Sequence, residues 1–181
     1  TSTNMNANEV IANVALEIIG KEKGDYDTIS PLDHVNMSQS TNDTYPTALL
    51  VGFLKEYDPL LKAIKCLSDA FYAKGHEFAD IIKMGRTQLQ DAVPMTLGQE
   101  FCAFGDTLLL DIDRLNEMSE LFLEINLGAT AIGTGVNSHP DYPKLAIEAL
   151  AELSGLPLVV DPHTIEATSD TSAFVSFSSV L

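Results

Sequence analysis

Apolar side chains recur at three- and four-residue steps along most of the chain, and this spacing predicts helix after helix. In residues 6–20 the shared apolar face holds Val10, Ile11, Val14, Ala15, Ile18 and Ile19. The same spacing predicts longer helices over residues 44–78 and 96–124, and shorter ones over residues 142–153 and from Ile165 onward. We therefore expect an all-α fold, a bundle of long helices.

Segments without this spacing separate the predicted helices. The longest are residues 25–43 and the glycine-rich residues 126–143, and residues 81–95 should form a connection with turns at Gly85 and Pro94. Loops longer than about 12 residues are uncommon in compact domains and are usually functional or disordered. Because these segments are rich in hydroxyl groups and not in charge, we expect them to carry function.

The net charge limits the ligands that this chain can hold. Its 181 residues suit one domain and include 26 Asp and Glu against 10 Lys and Arg, a net charge of −16. No basic stripe can form to follow nucleic acid, so no nucleic-acid partner is expected. No uncharged apolar stretch reaches about 18 residues, so no membrane partner is expected either. An anionic ligand must instead be held by neutral donors and helix ends.

The cysteines and histidines supply little further chemistry. Cys66 and Cys102 lie in apolar helical patterns without a CxxC spacing, so we interpret both as buried thiols of a protein in the reducing cytoplasm. The histidines lack metal-ligand spacing and no serine lies in a GxSxG motif, so we expect neither a metal site nor a cofactor. Residues 128–135, "GATAIGTG", lack the lysine of a phosphate loop, which favours a close backbone approach over a nucleotide site.

Short polar side chains cluster where three of the predicted helices begin. These residues are Thr1 before the first helix, Ser40, Thr41 and Asn42 before the second, and Thr87 and Gln88 before the third. Unpaired backbone N–H groups and the helix dipole favour an anion at such positions, and hydroxyl and amide groups add donors without charge. The alternative is simple N-capping, for which Asp43 alone could suffice in the second helix.

The length of the second helix separates two of these clusters. At 1.5 Å per residue it should span about 50 Å, with Ser40 before its start and Thr87 beyond its end. If both clusters bind one small ligand, they must come from different chains. We therefore expect a homo-oligomer with shared sites.

Four motifs carry a family resemblance. In order along the chain they are "TSTNMNANEVIAN", "DHVNMSQSTNDTYPTA", "MGRTQLQDAVPMTLGQEF" and "NLGATAIGTGVN". Together they resemble the aspartase/fumarase superfamily over almost the entire chain, which implies a homotetramer with a central helical bundle and active sites built from several subunits. The chain begins at Thr1 without an initiator Met and ends within the apolar run "AFVSFSSVL". We therefore expect residues 1–181 to be a single fragment of that central helical-bundle domain.

Within the superfamily, the details resemble the aspartate ammonia-lyases more than the class II fumarases. Thr41 stands where fumarases typically have a second serine, and Gln88 stands where they carry a histidine. In residues 30–33, "SPLD", the histidine and asparagine of a secondary fumarase site are absent. The implied reaction is the reversible deamination of L-aspartate to fumarate and ammonia. A fumarase-type hydratase or another lyase of the superfamily stays open as an alternative, as does a non-catalytic helical assembly module.

The resemblance also implies roles for the polar clusters. The β-carboxylate of a dicarboxylate substrate falls to Thr1, Ser40 and Thr41, its amino group to Asn42, and its α-carboxylate to Thr87 and Gln88. The family's general base is a serine on a mobile loop, and its position lies beyond Leu181. We therefore expect the 181 residues to be inactive alone. Whether a divalent cation activates the complete enzyme is left open.

Overall fold

Helices make up most of the computed structural model, which describes all 181 residues. The α-helices are α1 (Ser2–Ile18), α2 (Thr41–Glu77), α3 (Leu97–Ser119), α4 (Tyr142–Ser154), α5 (Thr164–Ala167) and α6 (Ser172–Val180). A π-helical turn, Pro31–Val35, precedes α2, and a 3-10 turn, Glu120–Phe122, follows α3. The predicted long-helix fold is thereby confirmed, and α2 continues through Pro59. None of these helices has the length and apolar character needed to cross a lipid bilayer.

Four short strands depart from the all-α expectation. The strands β1 (Ile82–Thr87) and β2 (Gln90–Thr96) form an antiparallel hairpin, and β3 (Glu124–Ile125) pairs in parallel with β4 (Val159–Val160). The predicted turns at Gly85 and Pro94 are wrong, because both residues lie inside strands of the hairpin. Gly85 falls where the register shifts between Met84 and Arg86, as at a β-bulge.

The hairpin turns at Gln88 and Leu89. Both residues have positive φ, 50° and 62°, as a two-residue loop of the type I′ class requires. Such loops usually contain Asn or Gly, and neither occurs here. The sequence therefore showed no turn at the position where the chain reverses.

The C-terminal helix is also interrupted. One helix was predicted from Ile165 onward, but α5 ends at Ala167 and α6 begins at Ser172. The carboxylate of Asp170 accepts a hydrogen bond from the backbone N–H of Ser172 at 3.1 Å, which favours a new helix start at this point.

The chain forms two compact units. The first comprises residues 1–54 and 121–173, and the second comprises residues 55–120 and 174–181. The core of the first unit centres on Ile125, Ile147 and Leu158, with partly buried side chains around it from Leu50, Val51, Leu54, Leu127, Leu150, Ala151 and Leu156. These apolar residues come from α2, α4 and the short β3–β4 ladder, so the core fixes the start of α2 against the segments that follow β3.

In the second unit, small residues allow α2 and α3 to approach closely. A Cβ atom at Gly98 would lie 2.3 Å from the carbonyl oxygen of Gly75, so the two backbones are in contact there. The Ser68 hydroxyl donates to the Gly105 carbonyl at 3.0 Å further along the same interface. Tilted and edge-to-face aromatic pairs complete the packing and involve Phe71, Phe78, Phe101 and Phe104.

The apolar stripe of α1 is not covered by the rest of this chain. Asn8, Ala12 and Leu16 are the buried residues of the helix. The predicted apolar face instead stays largely exposed, with Ile18 at 79% and Val10 at 54%. Its side chains follow helical spacing correctly, but no element of the single chain packs against them.

The two cysteines are free, as predicted, but neither is buried. Cys66 is exposed and Cys102 is half-buried, so the prediction of buried thiols is wrong for both. The reason is the same as for α1, because the apolar helical stripes that contain these residues are only partly covered within one chain.

Candidate functional site

The start of α2 is a reciprocal cap. Ser40 precedes the helix, and its hydroxyl oxygen accepts the backbone N–H of Asn42 at 3.2 Å. Asp43 reaches back and accepts the backbone N–H of Ser40 at 2.9 Å. Ser40 and Asp43 therefore cap the helix together, as in a capping box, and capping does not fall to Asp43 alone.

The second oxygen of Asp43 binds the glycine-rich segment. It accepts backbone N–H groups from Thr130 at 2.9 Å and Gly128 at 3.2 Å, and the side chain is fully buried. Burial raises the pKa of the Asp43 carboxyl above its ordinary value, and the hydrogen bonds from Ser40, Thr130 and Gly128 oppose part of that rise. One buried carboxylate thus fastens a loop 85 residues away in sequence to the first turn of α2.

The next two polar residues are also held by neighbours in the first unit. The Thr41 hydroxyl donates to the Asn4 side-chain oxygen at 2.9 Å, which joins the first turns of α1 and α2. The Asn42 side-chain amide donates to the Ala131 carbonyl at 2.7 Å. Thr1 is the residue before α1, is exposed, and its side chain caps nothing.

The glycine-rich segment is anchored at its far side as well. Gly133 has φ +88°, and a Cβ atom there would lie 2.4 Å from the Cα of Ile165. The Thr164 hydroxyl donates to the Gly133 carbonyl at 2.7 Å. The prediction of a close backbone approach for residues 128–135 is confirmed, because no side chain would fit at Gly133.

A cavity of 550 Å³ opens between residues 38–40 and the glycine-rich segment. Its second wall consists of Thr130, Ala131, Ile132, Thr134, Val136 and Asn137. No charged side chain lines it, and its volume falls in the range of about 300–1,000 Å³ that is typical of small-ligand clefts. A ligand in this cavity would meet hydroxyl and amide groups beside the apolar side chains of Ala131, Ile132 and Val136.

The hairpin in the second unit carries the remaining predicted site residues. Thr87 ends β1 and Gln88 stands at the turn, and both side chains are exposed. The structure therefore brings Ser40, Thr41 and Asn42 together around one helix start, and it places Thr87 and Gln88 on a separate element.

Three residues of the site were not singled out as binding residues in the sequence. Asn4 follows Thr1 within the motif "TSTNMNANEVIAN", and this run of short polar side chains was its only signal. Asp43 was considered only as a cap, because its partners Gly128 and Thr130 lie far along the chain. Hydroxyl-rich composition within the glycine-rich segment was the sole sign of Thr130.

A family model described as Lyase matches residues 1–181, the whole chain. The chain is 61% identical to the aspartate ammonia-lyase of Pseudomonas aeruginosa over 182 residues, which covers 100% of this chain and 38% of that protein. It is 54% identical to the aspartate ammonia-lyase of Helicobacter pylori, over 100% of this chain and 39% of that protein. The chain thus spans less than two fifths of the length of these relatives.

Solved structures show the same fold. A fumarate lyase:delta crystallin from Brucella melitensis, bound to cobalt, superposes with a TM-score of 0.95 at 56% identity, over 99% of this chain and 39% of that chain. A recombinant class II fumarase from Schistosoma mansoni superposes with a TM-score of 0.86 at 31% identity, over 99% of this chain and 41% of that chain. The family suggested by the four sequence motifs is confirmed by these matches.

Proposed function

Because this chain belongs to the lyase family over its whole length, we propose that it is the central helical part of an aspartate ammonia-lyase. The complete enzyme would convert L-aspartate reversibly to fumarate and ammonia. The observation that carries this proposal is the identity of 52% to 61% with proteins named aspartate ammonia-lyase along essentially all of this chain.

A class II fumarase is the second candidate, favoured by the fold match at a TM-score of 0.86. Sequence identity to that fumarase is 31%, well below the values for the aspartate ammonia-lyases. Thr41 and Gln88 also depart from the residues that the fumarase pattern carries at these positions. These differences favour ammonia over water as the leaving group.

The proposed reaction needs donors that converge on a carboxylate. A base removes a proton from Cβ, the electron pair is held by the adjacent carboxylate, and breaking the C–N bond then releases ammonia and leaves fumarate. The intermediate carries an additional negative charge on that carboxylate, so preorganised hydrogen-bond donors lower its energy most. At a net charge of −16, neutral donors suit this chain better than an arginine cluster would.

The hydrogen bonds at the start of α2 leave the required groups of Ser40 and Asn42 available. The Ser40 hydroxyl oxygen accepts from Asn42, so its proton is free to bind a carboxylate. The Asn42 amide donates to Ala131, so its side-chain oxygen can accept from a substrate ammonium group. The Thr41 hydroxyl, which donates to Asn4, would turn its proton toward the substrate. We assign Thr1 to the same carboxylate.

Thr87 and Gln88 are proposed to bind the α-carboxylate from another chain of a homo-oligomer, a tetramer in the complete enzyme. Helix α2 has 37 residues and is about 55 Å long. The uncovered apolar face of α1, where Ile11 is 53% and Ile18 is 79% exposed, suits burial against further chains. The free thiols of Cys66 and Cys102 agree with a cytoplasmic location.

The test is turnover by the complete enzyme. L-aspartate and L-malate are offered separately, and fumarate is followed by its ultraviolet absorbance. Fumarate formation from L-aspartate with release of ammonia supports the proposal. Turnover of L-malate without turnover of L-aspartate would reject it in favour of the fumarase alternative. The 181 residues alone should show no turnover, because the proposed base lies outside them.

A further inference from the structure

We propose that Thr130, in the glycine-rich segment, is a further substrate-binding residue whose hydroxyl donates to a carboxylate of the ligand held by Ser40. The inference rests on the proposed function, which supplies the dicarboxylate. The family resemblance assigns no substrate contact to this segment, for which the glycines indicated a close backbone approach. The cavity that Thr130 shares with Ser40 supports a ligand-binding role for the segment as well.

Thr130 is held in an unfavourable backbone conformation. Its φ is +62°, in the left-handed region, where a β-branched side chain is a genuine outlier. Such residues persist when their surroundings impose the conformation, and they concentrate at functional sites. Here the backbone N–H of Thr130 donates to the buried Asp43 carboxylate at 2.9 Å, a contact that helps to hold this conformation. A glycine would satisfy the same geometry without strain, so packing alone gives no reason for threonine.

The side chain of Thr130 has no partner that would explain it. The residue is half-buried and lines the cavity, yet its hydroxyl makes no hydrogen bond within the chain. The hydroxyl of Thr164, by contrast, is used structurally and donates to the Gly133 carbonyl at 2.7 Å. An unpaired hydroxyl in the wall of an uncharged cavity is a neutral donor for an anionic ligand.

The two cavity walls are fixed relative to each other, which a binding residue requires. Asp43 binds the backbone of Ser40 with one oxygen and that of Thr130 with the other. Asn42 binds the carbonyl of Ala131, the next residue of the segment. Ser40 and Thr130 are therefore positioned by one carboxylate, and a ligand between them would meet two preorganised hydroxyl groups.

Three substitutions in the complete enzyme separate binding from structure. Thr130→Val keeps the shape and the β-branched strain but removes the hydroxyl. Thr130→Ser keeps the hydroxyl and removes the methyl group. Thr130→Gly removes both and relieves the strain. If Thr130 binds the ligand, Thr130→Val and Thr130→Gly should each weaken fumarate binding by about 3- to 10-fold, the usual effect of one neutral hydrogen bond. The fumarate affinity of Thr130→Ser should stay close to that of the unmodified enzyme.

Fumarate affinity is measured from its stabilisation of each variant in thermal unfolding, and L-aspartate turnover of the unmodified enzyme is measured separately. Unchanged fumarate affinity in Thr130→Val would overturn the inference, as would equal losses of affinity in Thr130→Val and Thr130→Ser. The melting temperature of Thr130→Gly without ligand should be no lower than that of the unmodified enzyme. An unmodified enzyme that binds fumarate but does not convert L-aspartate would reject the proposed function and leave this inference standing. An enzyme that does not bind fumarate would overturn both.

Discussion

The start of α2 and the β1–β2 hairpin carry the same kinds of side chain but organise them differently. At α2, Ser40, Thr41 and Asn42 each have a partner within the first unit, and a fully buried Asp43 holds the surrounding backbone. At the hairpin, Thr87 and Gln88 are exposed, beside a Leu89 that is 100% exposed. One group of donors is preorganised by its own chain, and the other has no such support.

The two regions should therefore respond differently to substitution. Substitutions around α2 should change both stability and ligand binding, because the same hydrogen bonds serve both. Substitutions at the hairpin turn should change ligand binding with little change in stability. The predictions below test this contrast, beginning with the largest effect.

Gly133→Ala should destabilise the complete enzyme by about 3 kcal/mol or more, since it combines a positive φ with overpacking. The added Cβ would lie 2.4 Å from the Cα of Ile165 and 2.5 Å from the carbonyl oxygen of Thr164. The matched change in the hairpin, Gly85→Ala, meets the Val93 carbonyl at 3.0 Å and should have a smaller effect. Chemical denaturation of both variants measures the difference. Equal losses of stability would contradict the conclusion that the backbone is packed more tightly around Gly133 than around Gly85.

Asp43→Asn should lower the free energy of unfolding by about 2–3 kcal/mol, because the replacement turns one acceptor into a donor that faces buried N–H groups. Its counterpart in the hairpin is Asp91→Asn, which removes an exposed ion pair with Arg86 and should change stability little. Both are measured by chemical denaturation at neutral pH. If Asp43→Asn proved as mild as Asp91→Asn, the three N–H contacts of Asp43 would not hold the site together.

Asn42→Ala and Gln88→Ala should each raise KM for L-aspartate by about 10-fold, since under the proposed function each removes a polar contact to a charged group of the substrate. Only Asn42→Ala should also lower the melting temperature, because Asn42 holds the Ala131 carbonyl. Steady-state kinetics and thermal unfolding of the same preparations give both quantities. A lower melting temperature for Gln88→Ala alone would reverse the comparison.

The smallest expected effect is on the pH dependence of stability. The pKa of Asp43 is raised in the folded state from an ordinary value of 3.8, so its ionisation disfavours folding. Its contribution is therefore largest below about pH 3.8 and declines as the pH rises through the folded pKa. The difference in unfolding free energy between the unmodified enzyme and Asp43→Asn should shrink as the pH rises from about 3.8 through the folded pKa of Asp43. A difference that grows with pH would contradict burial as the main influence on the pKa of Asp43.

Helical spacing was enough to predict most of the fold. The long helices α2 and α3 appeared within a few residues of their observed ends, because apolar side chains follow helical spacing along most of their length. The hairpin was missed because its loop residues Gln88 and Leu89 carry no turn signal, and because Gly85 and Pro94 suggested turns inside what are strands. Two-residue strands such as β3 and β4 have no periodicity to detect.

The site was predictable in its residue types but not in its contacts. Ser40, Thr41 and Asn42 were recognisable because hydroxyl and amide groups crowd one helix start. The link from Asp43 to Thr130 was not, because the two residues are 87 positions apart and depend on tertiary packing. The face of α1 was recognisable as apolar from its spacing, but spacing does not identify what covers such a face.

The central claim is that the donors at α2 and those at the hairpin serve one ligand from different chains. Mixed oligomers of the Asn42→Ala and Gln88→Ala enzymes test it most directly, with each variant also measured alone. At L-aspartate concentrations well below KM, unfolding the two together and refolding them should give turnover clearly above that of either variant, because some sites then receive an intact group from each chain. Turnover no higher than that of the separately refolded variants would contradict the claim.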